Sequence, residues 1–156
     1  ENMKKIISKI DGVQIIKKNQ IIDDRGRIMH MMRNDDKNFK QFGEIYFSSV
    51  YPKAIKAWHL HTEMTLNYVV VWGKVKLVLY DDRKKSITKG MIDEIILSMS
   101  NYCIVKIPPF IWNGFSSVNN CESIIANCSD IPHDKNEIIR IPYDDTKIPY
   151  KWKFDY

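Results

Sequence analysis

Apolar residues recur along this chain at every second position far more often than at the 3.6-residue spacing of an amphipathic helix, a pattern that predicts strands. In residues 43–50, GEIYFSSV, the alternation sets Glu44, Tyr46 and Ser48 on one face and Ile45, Phe47 and Ser49 on the other. The run 66–72, LNYVVVW, is bulky and almost wholly apolar, and KVKLVLY after Gly73 alternates again. Similar runs predict strands over residues 13–16, 20–22, 28–33, 94–97, 102–107, 113–118 and 123–127. DDRG at 23–26 is a turn signal, because glycine tolerates positive φ and aspartate bonds its own backbone. Pro108-Pro109 stops the strand before it. Only residues 4–10 carry a helical pattern, with one helical turn expected over 134–138. So many short strands predict an all-β barrel or jelly roll with little helix.

Composition narrows the class. At 156 residues the chain fits one domain, 1–156, with the proline- and aspartate-rich segment 141–156 wrapping the surface. No apolar run approaches the roughly 20 residues of a membrane helix, so no membrane partner is expected. The segment ENMKKIISKIDG lacks the continuous apolar stretch of a signal peptide, so the expected compartment is the cytoplasm. Cys103, Cys121 and Cys128 are odd in number and form no CxxC pair; free buried thiols are expected. A net charge of +5 favours anionic partners, but the lysines are scattered and no basic run interleaves with aromatics. A small anionic ligand is expected, and no nucleic acid.

The chemistry concentrates in AIKAWHLH, residues 54–61, which holds two of the four histidines. Residues two apart on a strand share a face, so His59 and His61 are expected to point together into a metal site, an acid–base site or a polar piece of core. HxH with Gly73 following suggests the cupin class of jelly rolls. A metal there would want a glutamate at Leu66 and a third histidine at Asn113, so neither a metal nor another cofactor is expected. Without a metal, a neutral imidazole suits removal of a proton beside a carbonyl. Glu44, Tyr46, Ser48 and Lys56 would line the same enclosure, and so much polar surface is wasteful as core. Trp112, beside the proline turn, is placed to stack on a sugar or base, whereas Trp58 and Trp72 are expected to pack the barrel wall.

Over residues 23–143 the order of motifs resembles the dTDP-4-dehydrorhamnose 3,5-epimerase family of cupin-fold enzymes. The resemblance rests on DxRG at 23–26, AIKAWHLH against VLRGLHxQ, DDRKKSITKG against DxRxxSPTxG, and IPPFIWNGF against IPxGFAHGF. It implies a cofactor-independent isomerase that epimerises a dTDP-4-keto-6-deoxyhexose at C3, C5 or both, in surface polysaccharide or deoxysugar biosynthesis. His59 would be the base, Lys56 would replace an arginine near the phosphates, and Arg25 would hold the nucleotide of a neighbouring subunit. Ile28 and His30 would contact the nucleotide base, and Glu44, Tyr46 and Asn113 the sugar. A homodimer exchanging strands from residues 1–50 is implied as well.

The sequence departs from the family pattern at several places. The family's proton-donating tyrosine falls on Ile125 or Ala126, its lysine on Leu66 and the histidine of AHGF on Asn113. The chain ends soon after Trp152, short of the aspartate that orients the family's histidine. His61 stands where the family has glutamine, and this resembles the related dTDP-sugar 3,4-ketoisomerases with their RGxHxH pattern. There a histidine would carry the proton and Tyr46 would act as acid. Ketoisomerase, or a sugar-nucleotide binding module without catalysis, therefore remain alternative readings.

Overall fold

The computed structural model describes residues 6–154. In order the chain forms β1 (Gln14–Lys17), β2 (Gln20–Asp23), β3 (Gly26–Met29), β4 (Glu44–Val50), β5 (Ile55–His61), β6 (Leu66–Trp72) and β7 (Lys74–Asp81). Then come β8 (Ile92–Ser98), β9 (Cys103–Ile107), β10 (Ile111–Ser117), β11 (Ser123–Ser129) and β12 (Ile138–Arg140). Two five-stranded antiparallel sheets result, in the orders β1-β9-β6-β11-β4 and β12-β5-β10-β7-β8, while β2 and β3 form a separate hairpin. From β4 to β12 the chain changes sheet at every step except β7 to β8. This is the jelly roll that the strand pattern allowed, of the cupin type that the histidine pair and the family resemblance implied.

The alternation explains the layers. Inward residues Leu66, Val70, Leu77, Leu79, Val105 and Phe115 fill the space between the sheets. A second cluster covers the outer face of the β5-β10-β7 sheet, where Ile148, Tyr150 and Trp152 pack on Trp58, Val78, Tyr80 and Trp112. Strand β10 is therefore buried on both faces. At the hairpin between β6 and β7 only glycine fits: Gly73 has φ 75°, and a Cβ there would meet Ser123 Oγ at 2.3 Å.

Several local expectations change. The strand over 28–33 ends at Met29, and Met31 and Met32 pack instead against the cluster around Tyr102 and Ala126. Among the described residues there is no helix: Ile7 bridges Gln14, while residues 4–5 lie outside the described part. The expected helical turn at 134–138 is a tight turn, closed by the Glu137 N–H donating to the Asp134 carbonyl, that feeds β12. The apolar pattern of IIR is too short to announce a strand; pairing with β5 makes it one. All three cysteines are free, but only Cys103 is buried, and Cys121 is exposed.

Candidate active site

Strand β5 carries the site because it breaks the two-residue rhythm once. Asn113 of β10 faces His59 and Phe115 faces Lys56, so two steps on β10 oppose three on β5. The extra residue is a β-bulge, which shifts the phase of the strand. Gly114 makes room for it, since a Cβ there would lie 2.3 Å from Ala57 Cβ. Lys56, His59 and His61 thereby reach one cavity. Without the bulge, strict alternation would put Lys56 on the opposite face from the histidines.

The cavity has a volume of about 570 Å³ and two walls. One is β5 with β12, presenting Lys56, His59, His61 and Arg140; the other is β4 with β6, presenting Glu44, Tyr46, Ser48 and Tyr68. On the second wall Tyr46, Asn127 and Tyr68 form one row across β4, β11 and β6. Tyr46 lies at the rim, 36% exposed. Lys56 Nζ donates to Ser48 Oγ at 2.9 Å, joining the walls.

At the floor the two sheets meet in a directed hydrogen-bond chain. Asn113 Nδ2 donates to the His59 carbonyl at 3.2 Å, which fixes its amide with Oδ1 toward Tyr68, and the Tyr68 hydroxyl donates to that Oδ1 at 3.3 Å. The Tyr68 oxygen is then left to accept from His59 Nε2, 3.4 Å away. The network thus assigns the proton of His59 to Nε2. Burial, together with the nearby His61, Arg140 and Lys56, pushes the His59 pKa down to about 3, so the ring is neutral at working pH. Burial, and then the adjoining Tyr46, pushes Tyr68 well above its ordinary value; burial raises Tyr46 too. Both phenols therefore keep their protons.

His61 is held differently. Its Nδ1 lies 2.5 Å from Glu137 Oε1, while Glu137 Oε2 accepts the backbone N–H groups of Glu63 at 3.1 Å and Met64 at 3.2 Å. Both side chains are deeply buried, 5% and 3% exposed. Burial alone would raise the Glu137 carboxyl, but the His61 and backbone hydrogen bonds outweigh it and hold the group below its ordinary value. An ionised carboxylate accepting from an imidazole fixes both tautomer and ring orientation.

Glu44, Tyr46, Lys56, His59 and His61 thus come together. Asn113 is fully buried and acts through His59 and Tyr68 rather than facing the cavity. Trp112 departs from the sequence expectation: it points to the outer face, where Lys147 Nζ lies 5.3 Å from its ring centre and the C-terminal segment covers it. Arg25 and His30 also stand outside this cavity; Arg25, its side chain 85% exposed, pairs with Asp23 at the β2–β3 turn. Sequence reading missed Tyr68, Glu137 and Arg140. Among the described residues no group of three or more His, Cys, Asp or Glu side chains gathers as a metal site.

Comparison with known proteins matches this architecture. The family model described as dTDP-4-dehydrorhamnose 3,5-epimerase matches residues 7–156. The chain is similar to the solved dTDP sugar isomerase of Desulfovibrio desulfuricans G20, with 41% identity, a TM-score of 0.91 and 94% of each chain covered. It is 30% identical to the spore coat polysaccharide biosynthesis protein SpsL of Bacillus subtilis (strain 168), over 94% of this chain and 99% of that protein. It is 33% identical to the probable low-salt glycan biosynthesis epimerase Agl13 of Haloferax volcanii, over 83% of this chain and 86% of that protein. Matched by the family model along nearly the whole chain, this protein belongs to the dTDP-4-dehydrorhamnose 3,5-epimerase family, a family of isomerases.

Proposed function

We propose that this chain is a nucleotide-sugar epimerase that inverts C3, C5 or both in a dTDP-4-keto-6-deoxyhexose on the way to a surface polysaccharide. The observation that carries this reading is the opposition of the cavity walls: the imidazoles of His59, held neutral, and His61 on β5, and protonated phenols on β4 and β6. Inversion at carbon requires removal of a proton from one side of the sugar ring and its return from the other. An imidazole takes the C–H proton, the bonding pair flows into the ketone to give an enolate, and Tyr46 returns a proton from the far wall. The ketone acidifies the neighbouring C–H, and oriented donors stabilise the enolate oxygen. Lys56 and Arg140, beside His59, supply cationic charge for the diphosphate.

A second reading, 3,4-ketoisomerisation, is favoured by His61, which is an imidazole with its own carboxylate where the family has glutamine. Incubation with dTDP-4-keto-6-deoxyglucose in deuterium oxide tests both. Deuterium at C3 or C5 with inverted products supports the epimerase, and a 3-keto product supports the ketoisomerase. No deuterium in any dTDP-4-keto sugar would leave a binding module.

The assembly proposed is a cytoplasmic homodimer. The β2–β3 hairpin and the edge strand β4 expose Ile21, Ile22, Ile28, Ile45 and Phe47, apolar side chains that a partner subunit would cover. Arg25 and His30 would then serve the partner's cavity rather than their own. Sedimentation should give twice the monomer mass, and Phe47→Glu should halve it.

A further inference from the structure

We infer that Glu137 is a positioning residue that holds His61 with its proton on Nδ1, making His61 Nε2, not His59, the acceptor of the substrate proton. The inference rests on the epimerase reading above. It follows from the two imidazoles being held in opposite tautomers. His59 gives its Nε2 proton to Tyr68, whose own proton goes to Asn113 Oδ1, so Nε2 has no lone pair for a substrate, and the lone pair left on Nδ1 belongs to a ring with no carboxylate to hold the imidazolium that would form. It also lies near two further cations, Lys56 and Arg140, and protonating it would add a third positive charge with no carboxylate bonded to it. His61 is the reverse case. With Nδ1 committed to Glu137, only Nε2 remains for a ligand, and the ring lines the same cavity. When Nε2 takes the proton, the C–H pair becomes the enolate and the new imidazolium sits against a fixed negative charge. After the carbon is protonated from the opposite wall, the imidazolium proton returns to that wall through solvent, restoring both groups.

Glutamine at position 137 tests this without removing the side chain. The backbone N–H groups of Glu63 and Met64 both require an acceptor, so the amide oxygen must turn to them and the NH₂ must face His61. Nδ1 then becomes the acceptor, the ring proton moves to Nε2 and the basic lone pair is lost. Nitrogen NMR of wild type should show His61 protonated at Nδ1 and His59 at Nε2, and Glu137→Gln should invert His61 alone. The variant should lose about 10³-fold or more in kcat for deuterium wash-in, with KM changed less than about twofold, since a wrong tautomer abolishes the base without touching binding. A kcat within about threefold of wild type, or His61 found unprotonated at Nδ1 in wild type, overturns the inference.

If Glu137→Gln does not fold, His61→Asn against His59→Asn decides: the larger loss of wash-in must fall on His61→Asn, and the opposite order overturns the proposal. Absence of wash-in by wild type defeats the epimerase reading instead. The tautomer spectrum needs no substrate, and on it alone the positioning role of Glu137 then stands or falls.

Discussion

Of the four carboxylates buried among the described residues, Asp81 and Glu137 are answered in opposite ways. Asp81, fully buried, is satisfied by its own turn: it accepts from Arg83, Ser86 and Thr88, at most 7 positions away. Glu137 is satisfied from 73 to 76 positions away, by His61 and the backbone of Glu63 and Met64. Burial would raise both carboxyls, and in both cases hydrogen bonds outweigh it and hold them below their ordinary values. The electrostatics are alike, but the partners differ. A carboxylate closed upon its own loop ties a turn, whereas one that crosses the fold to meet an imidazole in a cavity sets the state of a reactive group.

Substitutions can separate the two roles. The largest stability effect belongs to Asp81→Ala, which strands Arg83, Ser86 and Thr88 and should cost about 3 kcal/mol in urea unfolding while leaving kcat of the folded protein unchanged. Next comes the proton balance of His59. As pH falls below its ordinary value of 6.5, the unfolded ring takes up a proton while the folded ring stays neutral down to about 3. Wild type therefore loses stability through that window and His59→Asn does not. By pH 4.5 the gap between the two should have shifted by about 2 kcal/mol in favour of the variant, after a discount for partial exposure. Lys56→Ala should raise KM about 10-fold, near 1.4 kcal/mol, through lost phosphate attraction, with kcat little changed. The smallest stability effect is expected for Glu137→Gln, under about 1 kcal/mol, because the amide oxygen still satisfies both backbone N–H groups. A Glu137→Gln cost as large as that of Asp81→Ala would make the two carboxylates the same kind of feature after all.

The same contrast explains how much of the molecule the sequence discloses. The Asp81 turn is visible because all its partners lie inside DDRKKSITKG, and β6 is visible because LNYVVVW is almost wholly apolar. The placement of Glu44, Tyr46 and Ser48 follows from simple alternation in β4. Tyr68 is hidden by the same rule that reveals its strand: inside an apolar run, nothing distinguishes a hydroxyl that meets His59 from one that fills core. Lys56 reaches the cavity only through the bulge opposite Gly114, a tertiary event. Glu137 precedes a three-residue strand that exists because β5 offers an edge, so no local pattern marks it. Trp112 was misplaced for want of the C-terminal cover that buries the outer face of β10.

Strand β4 has one further consequence. It pairs with β11 along one side and forms the end of its sheet, with reactive-wall residues and Ile45 and Phe47 in strict alternation. Point changes along it can be absorbed one at a time, but a deletion or insertion that slides it by a single residue would turn every polar group out and bring the isoleucine and phenylalanine in. Natural variation at this edge should therefore come as replacements of constant length, and the length of the strand should be guarded more closely than its letters.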